Sequence, residues 1–303
     1  MKALVTGGSG FLGRHLVKTL LRQEVETVVY DLVPPPEKQV AEMSGSVTYV
    51  RGDLLDQDAL TAAMEGCNLV FHTAAIAEID ETRRKPVSTM EVNVVGTASC
   101  LEAARDNGVE RFLFASTVYT SGNQGSFYRV SKQAGESLCK TFFKEFGLKY
   151  TILKYGSLYG RDANHWNFMY TVCRALLQDG VYTYRSSPDA IREYIHIYDA
   201  ARETIRIAQD SEFINKSVLI TGHQRMKMSD LFEAVEEIMD GHARIEYVCD
   251  EQQCHYIRTP YSFDIDVPVR INLSTYIDIH EGILDCLQEI RKEMEVEERS
   301  GDD

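Results

Sequence analysis

Apolar residues in the first half of the chain fall into short unbroken runs, separated by longer stretches with apolar positions three and four apart. The runs are Lys2–Thr6 (KALVT), Thr27–Tyr30 (TVVY), Val47–Arg51 (VTYVR), Leu69–His72 (LVFH), Arg111–Ala115 (RFLFA) and Tyr150–Lys154 (YTILK). Their length and β-branched or aromatic content predict strands. Phe11–Leu21, Asp58–Glu65, Pro86–Asn107 and Ser126–Phe146 carry the helical period, with Pro86 suited to a first turn. Continuous apolar strands suit a sheet covered on both faces. Strands alternating with helices predict an α/β fold, a doubly wound parallel sheet. After about Tyr155 the rhythm breaks into loops rich in Tyr, His, Trp, Asn and Arg, with helices expected near Tyr198–Gln209 and Ser229–Asp240. The expected division is a main domain over 1–160, with core elements returning at about 190–222. A smaller ligand-facing α/β region follows over 161–290, and a charged helix end and tail, expected to fray, over 291–303.

The 303 residues, 44% hydrophobic and 26% charged, suffice for one large core with a smaller region built on it. A net charge of −14 argues against nucleic acid and anionic membranes as partners, though not against a small anion held by local arginines and amides. No apolar run approaches the ~20 residues of a membrane span. The chain opens directly on a strand, so no targeting segment is expected. Seven scattered cysteines without CxxC spacing point to a reduced, cytoplasmic protein. Cys249, Cys254 and His255 read as unrelated neighbours, and no metal site is expected.

TGGSGFLG, residues 6–13, places Gly7, Gly10 and Gly13 between the first strand and the first helix. Glycines there permit a tight turn and let backbone N–H groups approach a pyrophosphate at the helix N-terminus. Asp31 ends the second strand about twenty residues later. A carboxylate at that place accepts the ribose hydroxyls of NAD and repels a 2′-phosphate. No arginine adjoins it in sequence, where LVPPP follows. The cofactor expected is NAD, on a Rossmann-type domain.

TVYTSGNQGSFYRVSK, residues 117–132, sets Tyr128 and Lys132 four apart on one helix face, after the hydroxyl pair Ser116 and Thr117. A free phenol ionises near ~10, too high for a base at neutral pH. A neighbouring ammonium favours the phenolate, and so does a positive nicotinamide ring. Tyr128 then suits proton exchange with a substrate alcohol, and a hydroxyl from Thr117 or Ser116 fixes the same oxygen. Thr117, nearer the loop, is preferred.

TGGSGFLG, GDLLD, FHTAA, NVVGT, YRVSK and REYIHIYDAA occur in the order and approximate spacing of the extended short-chain dehydrogenase/reductases. Over about Met1 to Leu287 the chain resembles their nucleotide-sugar epimerase/dehydratase branch. The resemblance implies that Gly7, Gly10, Phe11, Leu12 and Gly13 bind the cofactor, with Asp53 and Leu54 against the adenine. It further implies that His72, Thr73, Ala74 and Ala75 line the back of the cofactor, that Asn93 supports the active-site helix, and that Lys132 holds the nicotinamide ribose. Lys154–Leu158, with Tyr155 and Leu158, is implied to run under the nicotinamide. Arg192 is implied to meet the nucleotide diphosphate. The helices over 86–107 and 126–146 resemble those of a four-helix homodimer interface.

Arg258 in HYIRTPYSF is a second candidate substrate contact, and Asn164 belongs to a cluster with His165, Trp166 and Asn167. That cluster reads equally as a surface loop anchored by Trp166. His196 reads as a packed strand-end residue. Dehydratase relatives place an Asp-Glu pair directly after the active-site threonine, whereas Val118 and Tyr119 stand here. Only eight residues separate Tyr119 from Tyr128, a short loop for this branch, and Ser157 and Arg161 replace the usual asparagine and proline. The activity expected is NAD-dependent epimerisation of a nucleotide sugar through a transient keto sugar. Net oxidoreduction or dehydration of a nucleotide-bound sugar or other alcohol is the alternative, and a non-catalytic nucleotide sensor the remaining one.

Overall fold

The computed structural model describes residues 1–35, 46–248, 269–271 and 275–301. Two compact units emerge. The first comprises residues 1–155, 201–220 and 260–271, and the second 156–200, 221–259 and 272–303.

In the first unit, β1 (Lys2–Thr6), β2 (Glu26–Asp31), β3 (Val47–Arg51), β4 (Leu69–His72), β5 (Arg111–Thr117), β6 (Tyr150–Tyr155), β10 (Lys216–Ile220) and β13 (Val269–Arg270) form one eight-stranded sheet. Its order is β13-β10-β6-β5-β4-β1-β2-β3, and every pairing is parallel. The strand order reverses between β1 and β4, the place where an open α/β sheet leaves a crevice beyond its strand ends. α1 (Phe11–Arg22), α2 (Gln57–Ala63), α3 (Ile79–Arg84), α4 (Pro86–Met90), α5 (Gly96–Asp106) and α6 (Ser126–Phe146) connect these strands. Leu4, Tyr30, Leu60, Met64, Leu101, Phe112, Phe114 and Ile152 share one buried cluster. Full burial of each large apolar side chain stabilises by ~1.5–3 kcal/mol. α6 lies close on β5, because a side chain at Gly135 would run into the Phe114 ring.

Three boundaries differ from the sequence reading. The helix expected over 86–107 is three consecutive pieces: α4, a π-helical turn at Glu91–Val95, and α5. α3 precedes them unforeseen. β5 runs two residues past its apolar stretch, because Ser116 and Thr117 pair with Lys154 and Tyr155 of β6.

In the second unit, β7 (Ser157–Tyr159), β9 (Ile191–His196) and β11 (Arg225–Lys227) form a three-stranded sheet, and β8 (Val181–Tyr184) pairs with β12 (Arg244–Tyr247). α7 (Phe168–Asp179), α9 (Met228–Ile238) and α10 (Ile279–Gly301) enclose a core with Tyr159, Leu176, Phe232 and Ile283. α8 (Ile197–Gln209) carries the chain from the second unit back to the first. The charged helix end expected from 291 continues α10 to Gly301, and there Arg174 of α7 pairs with Glu297 at 2.7 Å.

Candidate active site

The crevice at the strand reversal is a cleft of about 560 Å³. Gly7 and Gly10 line it from the β1–α1 turn, Asp31 from the end of β2, Asp53 and Leu54 from the loop after β3, and Thr73, Ala74 and Ala75 from the loop after β4. Gly7 adopts φ +68°, and a Cβ there would press on the Ala74 backbone at 2.6 Å. The turn therefore requires glycine and keeps its floor open. Gly10 caps α1 without a side chain, and the first turn of α1 holds no acid. Its free N–H groups and dipole suit a diphosphate.

Asp31 is held by its own loop. Its Oδ2 accepts from the Ser9 N–H at 2.9 Å and its Oδ1 from the Val33 N–H at 3.0 Å. Both oxygens keep lone pairs for a diol. Arg14 lines the same cleft, its guanidinium donating to the Ser9 and Gly10 carbonyls. The sequence reading saw no arginine beside Asp31; the first turn of α1 brings one into the cleft all the same. Glycine turn, free helix N-terminus and carboxylate together fit a dinucleotide. Asp31→Ala is expected to weaken NAD binding about tenfold or more, since a site built to hydrogen-bond a diol loses that much with its acceptor; calorimetry giving an unchanged Kd would remove Asp31 from the site.

Several residues implied as cofactor contacts stand behind the cleft or on its supports. Phe11 and Gly13 are buried beneath the turn, so what Phe11, Leu12 and Gly13 can offer the cleft is the backbone N–H groups of the first turn of α1. His72 lies behind it, bridging Thr6 Oγ1 at 2.8 Å and Thr97 Oγ1 at 2.9 Å. Burial pushes its imidazole down to about 3, with the Lys132 ammonium adding to the effect, so the ring is neutral. Asn93 sits in the π-helical turn and holds Ile76 through both its N–H and its carbonyl, at 2.8 and 2.9 Å. Its amide also donates to Ser131 Oγ at 3.0 Å. Asn93 thus fastens the cleft wall to α6 without lining the cleft. Tyr155 is buried, its hydroxyl 2.6 Å from Thr204 Oγ1. Leu158 lies on β7 in the second unit.

Gly125, at φ +100°, starts α6 at the end of the short loop, and Tyr128 and Lys132 follow on one face. Lys132 is buried. Its Nζ donates to the Ala115 carbonyl at 2.8 Å and lies 4.9 Å from the Phe114 ring centroid and 5.9 Å from that of Tyr128. Burial lowers its ammonium to about 8, opposed by Cys139 and Glu136. The half-buried Tyr128 phenol is pushed up to about 12 by desolvation. In the protein alone, burial is what moves the phenol; the sequence reading looked to Lys132 and to a positive nicotinamide ring together to oppose it.

The sequence reading missed Glu136, which extends the same helix face one turn beyond Lys132. It is buried, and Ser116 Oγ donates to its Oε1 at 2.5 Å. Thr120 Oγ1 stands 2.9 Å from the same oxygen, and Lys154 Nζ lies 3.5 Å from Oε2. Spacing alone, Tyr128, Lys132 and Glu136 at i, i+4 and i+8, held the signal.

In the second unit, Arg192 is buried on β9 and donates to the Ile191 carbonyl at 3.0 Å. The Asn164 carbonyl accepts from the Asn167 N–H, and Asn167 caps α7. Trp166 is 41% exposed and does not anchor the loop. His196 is buried, as a packed residue is. Arg258, Cys249, Cys254 and His255 lie outside the described residues. Among the described residues no group of three or more His, Cys, Asp or Glu is placed to hold a metal, and no helix is long and apolar enough to cross a membrane.

Known proteins share this architecture. The chain is 26% identical over 276 residues to an uncharacterized UDP-glucose epimerase of Bacillus subtilis (strain 168), YtcB, covering 82% of this chain and 85% of that one. It is 26% identical over 270 residues to a UDP-N-acetyl-alpha-D-glucosaminuronate decarboxylase of Bacillus cytotoxicus, covering 82% and 83%. Among solved structures, UDP-glucuronic acid 4-epimerase from Bacillus cereus, in complex with UDP-glucuronic acid and NAD, superposes with a TM-score of 0.83 at 23% identity over 96% of this chain and 99% of that one. DesIV, a dTDP-glucose 4,6-dehydratase from Streptomyces venezuelae, gives 0.83 at 22% identity over 96% and 97%. These likenesses establish the fold. Residues 3–220 match the family model described as NAD dependent epimerase/dehydratase family, and the chain belongs to that family.

Proposed function

We propose that the protein is an NAD-dependent epimerase of a nucleotide-activated sugar. The observation that carries this reading is the Tyr128–Lys132 pair, set beside the end of β5 without an acidic residue at the two positions that follow it. Bound NAD supplies a reversible hydride acceptor. Tyr128 takes the proton of a substrate hydroxyl and returns it to the carbonyl oxygen. Lys132, tied to Ala115, supplies positive charge beside the phenol. A hydroxyl at the end of β5 holds the same substrate oxygen. Epimerisation needs one oxidation, rotation of the ketone and one reduction, and asks for no further group.

A dehydratase also needs an acid or base beside the ketone. Val118 is buried and apolar, Tyr119 is a phenol, and Glu136 is committed to Ser116, Thr120 and Lys154. Net oxidoreduction stays second, with a cofactor exchanged at each turnover. Denaturing the freshly purified protein and chromatographing the released nucleotides separates the two. Near-stoichiometric NAD or NADH supports a recycled cofactor, and empty protein supports an exchanged one.

Arg192 is the proposed diphosphate contact. Arg192→Ala is expected to raise KM for a nucleotide sugar and leave NAD affinity unchanged; weaker NAD binding at constant KM would move Arg192 to the cofactor. A homodimer through the helices over 86–107 and 126–146 is proposed because Val87, Val95, Phe127, Val130, Phe143 and Phe146 are exposed on them. Sedimentation is expected to read twice the 34.3 kDa chain mass, and a monomer at micromolar concentration would refute it. The free buried thiols Cys67, Cys100, Cys139, Cys173 and Cys286 support a reducing, cytoplasmic setting.

A further inference from the structure

Ser116 and Lys154 are cross-strand partners on β5 and β6, so their side chains leave the sheet on one face. α6 covers that face and brings Glu136 to both. A serine hydroxyl has one proton, and at 2.5 Å from Glu136 Oε1 that of Ser116 is committed to the carboxylate. Thr120 Oγ1 lies 2.9 Å from both the Thr117 carbonyl and Glu136 Oε1, and its proton serves one at a time. Lys154 Nζ covers the other carboxylate oxygen and reaches Ser121 Oγ at 3.4 Å. The strand end before the turn Val118–Ser121 and Thr120 within it are thereby tied to Glu136 of α6, and Ser121 to Lys154 of β6. Thr117 is different. Among the described residues its Oγ1 only accepts, from the Tyr119 N–H at 3.4 Å.

The geometry points to Glu136 as the positioning residue of the active site: it commits the Ser116 hydroxyl, pins the turn after β5, and leaves Thr117 as the hydroxyl that meets the substrate oxygen with Tyr128. This deepens the epimerase reading and rests on it for the role of Thr117. The Ser116–Glu136 bond stands independently of any substrate.

The test therefore has two readouts. A buried hydroxyl donating to a carboxylate exchanges slowly with water and resonates far downfield in proton NMR. The signal is expected in the wild type and in Thr117→Val, and to be lost in Ser116→Ala. In turnover, Thr117→Val is expected to lower kcat by ~10²-fold with KM nearly constant, and Ser116→Ala to lower it by less than ~10-fold. Glu136→Gln with Lys154→Met removes both charges and keeps an acceptor for Ser116, so its kcat is expected to stand above that of the variant without an acceptor. Glu136→Leu with Lys154→Met removes the acceptor and is expected to lower kcat ~10-fold at unchanged NAD affinity. A downfield signal absent from the wild type or surviving in Ser116→Ala overturns the assignment, as does a Ser116→Ala loss exceeding that of Thr117→Val. If the wild type turns over no nucleotide sugar, the epimerase reading fails, and the NMR signal alone decides the Glu136 assignment.

Discussion

Tyr128→Phe is expected to lower kcat by ~10²-fold or more while leaving NAD affinity unchanged. The substitution removes one oxygen from a half-buried ring and disturbs no hydrogen bond that supports the fold. What it removes is the atom proposed to exchange a proton with the substrate. Burial pushes that phenol up to about 12, and a cation beside it opposes the desolvation. Lys132 is one, and its own ammonium is lowered to about 8 by the same burial. Full activity in Tyr128→Phe would mean that another group carries the proton.

Lys154→Met is expected to be the most destabilising of these changes. Lys154 and Glu136 are a buried pair, with side chains 5% and 11% exposed. Removing one partner leaves an uncompensated carboxylate inside the protein, at a cost of ~3–5 kcal/mol. For a domain of this size, ~2–4 °C per kcal/mol translates that into a Tm lower by ~6–20 °C. Adding Glu136→Gln removes the stranded charge and should restore most of the loss. A single variant as stable as the wild type would show that the pair contributes little and that Glu136 is held by its hydroxyl partners alone.

Six of the eight strands were legible because runs such as β4 and β6 are buried along their whole length and therefore apolar, and because helices intervene; β3 is only partly buried, and β10 and β13 were not read as strands. α6 was read to its ends, since Gly125 and Gly147 bound an uninterrupted helical period. Asp31 and the glycine turn were legible as local chemistry. The features that escaped depend on pairing across the fold. Ser116 and Thr117 are polar, so only their register with β6 reveals them as strand. The π-helical turn around Asn93 has no periodic signature, yet it aims one amide at both Ile76 and Ser131. Arg14 escaped because it stands seventeen residues before Asp31 and meets it only across the cleft that both line. Glu136 was hidden for a similar reason, because its partners lie twenty residues back and eighteen ahead, on two different strands.

Epimerisation through a ketone held in one active site is the central claim, and deuterium oxide tests it most directly. The NAD-loaded protein is incubated in that solvent with UDP- and dTDP-hexoses and hexuronic acids, and the products are read by proton NMR and mass spectrometry. The account predicts an epimer of unchanged mass, with no deuterium on carbon and no net change in nicotinamide absorbance, because the hydrogen removed from carbon is the one returned. A deuterated deoxy-keto sugar, a decarboxylated product or stoichiometric NADH would contradict it.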